Sequence, residues 1–420
     1  MPVAFIIPAI YVPPLALGRP SAQKAGMSTL RQSPTDPAFV QDPYPFYAAA
    51  RAEGPLHHWE EYGMTAAFSH AAVAHCLKDR RMGREAPPEC APVIPERLRA
   101  FYEVEAHSML ELEAPRHTRL RRLVLQAFTS RRIAGLGPEI AALCDTLIDD
   151  FPEGPFDLIP AYANRIPVIV ITRLLGVPES MADDLLGWSN AMVAMYQARR
   201  TPEIEAAACQ AASDFAAFLR GYVEERRTRP ADDLITQLIA AEEDGERLST
   251  DELISTCILL LNAGHEATVH ATGNGVKTLL EHGMGAEVLT PDRVEATVEE
   301  ILRHDPPLHM FTRWIYEDLD VMGRPFRRGD RIALLLGAAN RDPQVWEDPE
   351  VFDPSRPVKT NTSFGAGAHF CVGAPLARLE MQVALPKLFA RCPGLRLTEM
   401  PRYADLYHFH GLERLVVARG

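Results

Sequence analysis

One segment dictates more about this chain than any other. Ser249-Thr250-Asp251-Glu252 reads as a capping box, a hydroxyl at the helix N-cap with a carboxylate three residues later. A helix-compatible apolar pattern then runs to about His282-Gly283. Roughly 34 residues at 1.5 Å each make a helix of ~50 Å, long enough to cross a whole domain. In its middle lies LLLNAGHEATVH, Leu259 to His270. A continuous apolar helix gains nothing from Gly264, and its buried face does not want His265 and Glu266.

The rest of the chain sorts around that helix. LHHWEEYGMTAAFS alternates as a short sheet does, and from His70 to about Leu302 the pattern is overwhelmingly helical. APRHTRLRRLVLQAFT is a helix with a dense row of arginines. Residues 164 to 226 suggest amphipathic helices, broken at Gly176-Val177-Pro178 and near Thr201-Pro202. Thr290-Pro291 is expected to start the next helix, and Asp305-Pro306-Pro307 to stop it. Short strands follow from Met310 to Asp342, then a proline-rich meander. A glycine-rich loop leads into a final helix from about Pro375, with Pro386 inside it as an expected kink. LRLTE and RLVVAR read as a closing hairpin. There is no internal repeat and no low-complexity linker. We therefore expect one interdependent domain over 28–420, preceded by a loose or extended arm over 1–27.

Composition narrows the function. A net charge of −13 disfavours non-specific nucleic-acid binding. Seven scattered cysteines, an odd number with no CxxC pair, argue against a disulfide framework, a zinc site or an iron–sulfur cluster. A reducing cytoplasm suits them. The apolar N-terminal stretch lacks a basic region before its apolar run, and its prolines argue against a membrane helix.

The most specific motif is Phe364-Gly365-Ala366-Gly367-Ala368-His369-Phe370-Cys371-Val372-Gly373. Glycines let a backbone approach a flat cofactor closely. A cysteine at the start of a helix can hold its charge near backbone N–H groups, and such a thiolate can ligate haem iron. A lone cysteine in a core is ordinarily inert, but this loop matches F-G-x-G-x-H-x-C-x-G at every position. It resembles the haem loop of the cytochrome P-450 (haem-thiolate monooxygenase) superfamily. The resemblance covers about residues 37 to 420.

That resemblance implies a mainly α fold with a minor β part: a triangular, mostly helical body with small antiparallel sheets. Haem b would lie between the long helix and the Cys371 loop with its final helix, and Cys371 would be the iron ligand. Phe364 and Gly373 would belong to the cofactor-binding loop. Glu300 and Arg303 match the family's E-x-x-R, and Arg356 in FDPSRP matches the meander arginine that completes this structural ionic cluster. The haem carboxylates need cationic partners, and the resemblance suggests His117, Arg121, Arg313 and His369.

The same resemblance explains the long helix. Where it would cross the oxygen-binding face of the haem, small residues are needed, and Ala263 and Gly264 supply them. The family pattern A-G-x-D/E-T-T puts the acid at Glu266. The next position, usually a threonine that organises protons around bound dioxygen, is Ala267, and Thr268 takes the second hydroxyl position. Three readings of this departure follow: a substrate hydroxyl or ordered water replaces the missing group, Thr268 reaches in through a local distortion, or peroxide drives the reaction. His265 is expected to be structural and turned away from the haem.

The substrate implied is a lipophilic small molecule. Candidate contacts come from residues 84 to 106 and 180 to 202, and from Leu259, Leu260, Leu308, His309, Met310, Tyr407 and His408. Met192, Met195 and Tyr196 fit core packing at least as well. Dioxygen is the co-substrate, with electrons from a ferredoxin and an NAD(P)H-dependent reductase. Arg116, Arg119, Arg122, Arg131 and Arg132 form either a ferredoxin-docking patch or a solvated helix face. The expected protein is a monomer without a membrane span. The alternatives are a peroxygenase and a silent haem-binding sensor or carrier.

Overall fold

The computed structural model describes residues 28–196, 200–243 and 245–420. The arm expected over 1–27 lies outside them. The long helix is one continuous α-helix, Thr250–Glu281. Both capping-box bonds form: the Ser249 hydroxyl accepts from the Glu252 N–H at 3.2 Å, and the Glu252 carboxylate accepts from the Ser249 N–H at 2.9 Å. The helices Arg165–Leu175, Ala182–Val193 and Pro202–Thr228 pack on it, as do Val294–His304 and the final helix, Ala374–Arg391. Apolar burial around this axis forms the largest core, which stretches from Leu98 to Val417.

Local signals explain the boundaries. Gly176 caps Arg165–Leu175 in the left-handed region at φ 83°, and the Thr201 side chain caps Pro202–Thr228 through the Ile204 N–H. The helix expected from Thr290-Pro291 begins three residues later, at Val294. The Arg293 and Val294 N–H groups both close on the Thr290 carbonyl at 2.9 Å, so a tight turn precedes the first α turn. The final helix continues through Pro386, and the Tyr162 hydroxyl donates to the Ala384 carbonyl at 2.8 Å in that stretch.

The largest sheet has six short strands, in the order 29–30, 56–59, 64–67, 331–335, 310–315, 82–83. Two of its pairings are parallel, Thr29–Leu30 with Leu56–Trp59 and Met64–Ala67 with Arg331–Leu335. The remaining ladders of the fold are antiparallel. The expected closing hairpin forms as a pairing of Arg396–Leu397 with Val416–Ala418, but a second ladder, Arg402–Tyr403 with Leu412–Arg414, sits between its arms. Among the described residues no helix is long and apolar enough to cross a membrane. All seven cysteines are free.

Candidate active site

The glycine-rich loop is tied at its base. The Cys371 N–H donates to the Phe364 carbonyl at 3.0 Å, and the Gly365 N–H to the Thr362 carbonyl at 2.8 Å. Gly367 has φ +72°, and a Cβ there would lie 2.4 Å from the Leu77 carbonyl oxygen, so only glycine fits. The loop delivers Cys371 to the start of the final helix with its surface open. Burial among the surrounding protein pushes its thiol up, while the Gly373 and Ala374 N–H groups and the charges of Arg121 and Arg378 pull the other way. The backbone donors expected to favour a thiolate are present.

Two features make this a place for a planar, dianionic cofactor. The first is steric. Along the buried long helix, Ala263 is exposed and Gly264 and Ala267 are half-buried. A Cβ on Gly264 would meet no protein atom within 4 Å, whereas one on Gly275 would press on Ile301 at 3.1 Å. Gly275 is therefore small because a helix packs on it, and no protein neighbour demands the same of Gly264.

The second is charge. Buried Arg84 pairs with buried Glu111 at 2.6 Å. Glu113 takes His369 at 2.9 Å and accepts the Arg84 N–H at 2.7 Å. The His117 ring lies against His369, with centroids 4.2 Å apart. Beside this group, among the described residues, Arg313 and Arg121 meet backbone carbonyls rather than a carboxylate. Arg313 is buried and donates to the Thr312 carbonyl beside it, and Arg121 donates to the Phe370 carbonyl at 2.7 Å. Burial, with Arg84 nearby, lowers Arg313 to about 10; burial and the neighbouring His369 lower His117 to about 4. A buried charge needs a partner, and the carboxylates of a cofactor beside the loop would supply one to Arg313 and a second to half-buried Arg121. The residues fit haem.

The ionic cluster behind the loop is fully assembled. Arg303 meets Glu300 through two bonds of 2.7 and 2.8 Å, both side chains being buried. It also donates to the carbonyls of Asn340, Pro349 and Val351. Arg356 reaches Glu300 at 3.2 Å and donates to the carbonyls of Glu347 and Asp348. One carboxylate and two guanidiniums thus hold the meander.

On the long helix, Glu266 faces His270 at 3.5 Å. Burial alone would raise its carboxyl, but His270 and His265 more than offset this and hold it below the usual range. His265 bonds Asn164 at 2.6 Å, the partner that spacing alone did not reveal. The Thr268 hydroxyl donates to the Gly264 carbonyl at 3.0 Å, and the helix is undistorted there. Its proton is already used by the backbone, so the reading in which Thr268 reaches in has no support in this geometry.

Several suggested substrate contacts belong to the core instead. Tyr407 and Met310 sit in a second apolar cluster with Phe39, Tyr47 and Trp59. The Tyr47 hydroxyl bonds both His309 and Tyr407, and His408 is buried near Tyr62. Met192, Met195 and Tyr196 are buried, and Tyr196 donates to Glu105. Of the arginine row, Arg119 is engaged by Glu252 and Arg132 by Asp232. Sequence reading missed Arg84 and Glu113. Both lie in segments with no recognisable spacing, and only the fold brings them to His369.

Fold and site together define a haem-thiolate protein. A family model described as Cytochrome P450 matches residues 293–394. Among similar proteins is the polyketide biosynthesis cytochrome P450 PksS of Bacillus subtilis (strain 168), 35% identical over 93% of this chain and 99% of that protein. The cytochrome P450 monooxygenase PikC of Streptomyces venezuelae is 36% identical over 86% of this chain and 87% of its own. The solved structure of P450BioI, in complex with acyl carrier protein bearing hexadec-9Z-enoic acid, superposes with a TM-score of 0.84. It is 33% identical and covers 91% of this chain and 99% of that one. The chain belongs to the cytochrome P450 family. It is an oxygen-incorporating oxidoreductase with haem as its cofactor.

Proposed function

We propose that this monooxygenase acts on a lipophilic small molecule, with electrons from a ferredoxin and an NAD(P)H-dependent reductase. The single observation that carries this reading is the Cys371 loop, with the Arg121 guanidinium bonded to its Phe370 carbonyl and Arg313 donating to the Thr312 carbonyl. In this reading Cys371 holds the iron, and His117, Arg121, Arg313 and His369 bind the haem carboxylates. Phe364 and Gly373 frame the cofactor. Haem, when bound, supplies the activation of dioxygen.

The chain's own residues do the rest. Ala263 and Gly264 give clearance on the long helix for a lipophilic substrate, next to Leu259 and Leu260, which pack at the edge of the core. Glu266 stays ionised against His270 and is the acid that exchanges protons with solvent. Ala267 offers no hydroxyl, so a substrate hydroxyl or an ordered water completes the proton path. Glu300, Arg303 and Arg356 keep the meander in place behind the loop. The ferredoxin surface rests on the row Arg116, Arg119, Arg122, Arg131 and Arg132, in which Arg119 also pairs with Glu252 and Arg132 with Asp232. A cytoplasmic, monomeric enzyme built as one domain over 28–420 suits the free cysteines.

The test is reconstitution with ferredoxin, reductase and NAD(P)H against a panel of lipophilic compounds, beside a peroxide-driven arm. Product from dioxygen with a rate that falls as salt rises supports the proposal. Product from peroxide alone favours the peroxygenase. Ligand binding without turnover in either arm favours the sensor.

A further inference from the structure

Away from the haem loop, three buried side chains converge that the reaction does not use. Asp305 lies just past the Glu300 helix, His309 just before the strand Met310–Ile315, and His410 just before Leu412–Arg414. The fold presses them together through the backbone. Leu308 bridges Phe409, the His309 N–H donates to the His408 carbonyl at 3.3 Å, and the His410 N–H to the Pro307 carbonyl at 2.9 Å. One ligand atom from each of Asp305, His309 and His410 falls within 4.8 Å of the others.

Their free atoms point to a ligand. Nε2 of His309 and both ring nitrogens of His410 are buried with no well-formed hydrogen bond among the described residues, the Pro306 carbonyl being the backbone group nearest in effect to the His309 ring. His410 Nε2 lies 3.4 Å from Asp305 Oδ1. Ligands at ~2.0–2.1 Å around a tetrahedral zinc stand roughly 3.3 Å apart, so this pair already has the right separation.

The surroundings are those of a metal shell. The Tyr44 hydroxyl donates to Asp305 at 2.7 Å, Tyr403 donates to its other oxygen, and Tyr403 stacks on His410 at 3.7 Å. His309 Nδ1 meets the Tyr47 hydroxyl at 2.9 Å, and a proton donated there leaves Nε2 as a lone pair. Two nearby cations bring their own partners: Lys277 pairs with Glu281 at 2.8 Å and Arg341 with Glu350 at 2.7 Å.

We propose that Asp305, His309 and His410 form a binding site for a divalent transition ion of the zinc class. Two imidazoles and a carboxylate suit that class, and leave a fourth position for water. The ion would tie together three segments far apart in sequence, and it is independent of the substrate reading above.

The experiment uses the haem-loaded protein and zinc chloride as probe. Metal content after gel filtration gives the stoichiometry, and zinc-edge X-ray absorption gives the ligands without interference from haem iron. One zinc per chain with two imidazoles and one carboxylate is expected. His309→Gln and His410→Gln should each lose it while keeping the red-shifted carbon monoxide band. A wild-type protein that retains no stoichiometric zinc, or retains it without two imidazoles, overturns the site. So does zinc undiminished in both variants. If either variant fails to hold haem, the other and the wild-type absorption spectrum decide.

Discussion

Replacing Arg303 with methionine isolates what the ionic cluster contributes. The substitution removes both bonds to Glu300 and all three to the meander carbonyls. Glu300 stays buried, keeping only Arg356 at 3.2 Å and the Asp353 N–H at 2.8 Å. Breaking a buried pair from one side costs about 3–5 kcal/mol, because the remaining charge is left undercompensated. Arg356 moderates this, so we take about 4 kcal/mol. For a chain of 420 residues, an unfolding entropy of ~2.1 cal/mol/K per residue gives roughly 0.9 kcal/mol/K. The melting midpoint should then fall by about 4–5 °C. The assay is the loss of the thiolate-type Soret band on heating, beside near-ultraviolet circular dichroism. Adding Glu300→Gln to the same chain removes the stranded charge and should recover part of the loss. A deficit below about 1 kcal/mol, the worth of an exposed pair, or no recovery in the double variant, refutes the reasoning.

Three further outcomes follow from the site. Cys371→Ser should still fold but lose the red-shifted carbon monoxide band and dioxygen-driven turnover; a retained band would exclude Cys371 as the ligand. Ala267→Thr should raise the fraction of reducing equivalents that end in product, and unchanged coupling would count against a proton-delivery gap there. Glu105 is pushed up to about 8 by burial, against which the Tyr196 hydrogen bond and Arg84 act only in part. Its folded value lies above its unfolded one, so its contribution is complete below about pH 4.5 and is lost as pH rises through about 8. Glu105→Gln should therefore gain on the wild type, by on the order of 1–3 kcal/mol at pH 8 and little at pH 5. Melting curves at the two pH values check this.

What could be read from the sequence was what repeats locally or sits in a short motif. The capping box at Ser249, the breaks at Gly176 and Thr201, and the Cys371 loop each act through neighbours in sequence, so spacing reveals them. The pairing of Glu113 with His369 spans 256 residues and the His309–His410 contact joins two unrelated segments. No local periodicity carries such information. His309 and Tyr407 were misjudged for the same reason: a polar aromatic beside a predicted strand looks like a pocket residue until its hydroxyl partner, Tyr47, is seen 262 and 360 residues away.

The long helix shows how the two kinds of information combine. The sequence marks Gly264, His265 and Glu266 as departures from an ordinary apolar helix, and Ala267 as a departure from the family's threonine. The fold adds that Gly264 faces no protein atom while Gly275 is pinned by Ile301, so two glycines of one helix are small for different reasons. It also weighs against one of the three readings of Ala267, since Thr268 donates to the Gly264 carbonyl within an intact helix. Freeing Thr268 would mean giving up that bond at a buried side chain. On the proposed monooxygenase reading, a water or a group on the substrate completes the proton path past Ala267; on the peroxygenase reading no such path is needed. On this reasoning the coupling of oxygen use to product should vary from one substrate to another with the position of a substrate hydroxyl, and Ala267→Thr should flatten that dependence.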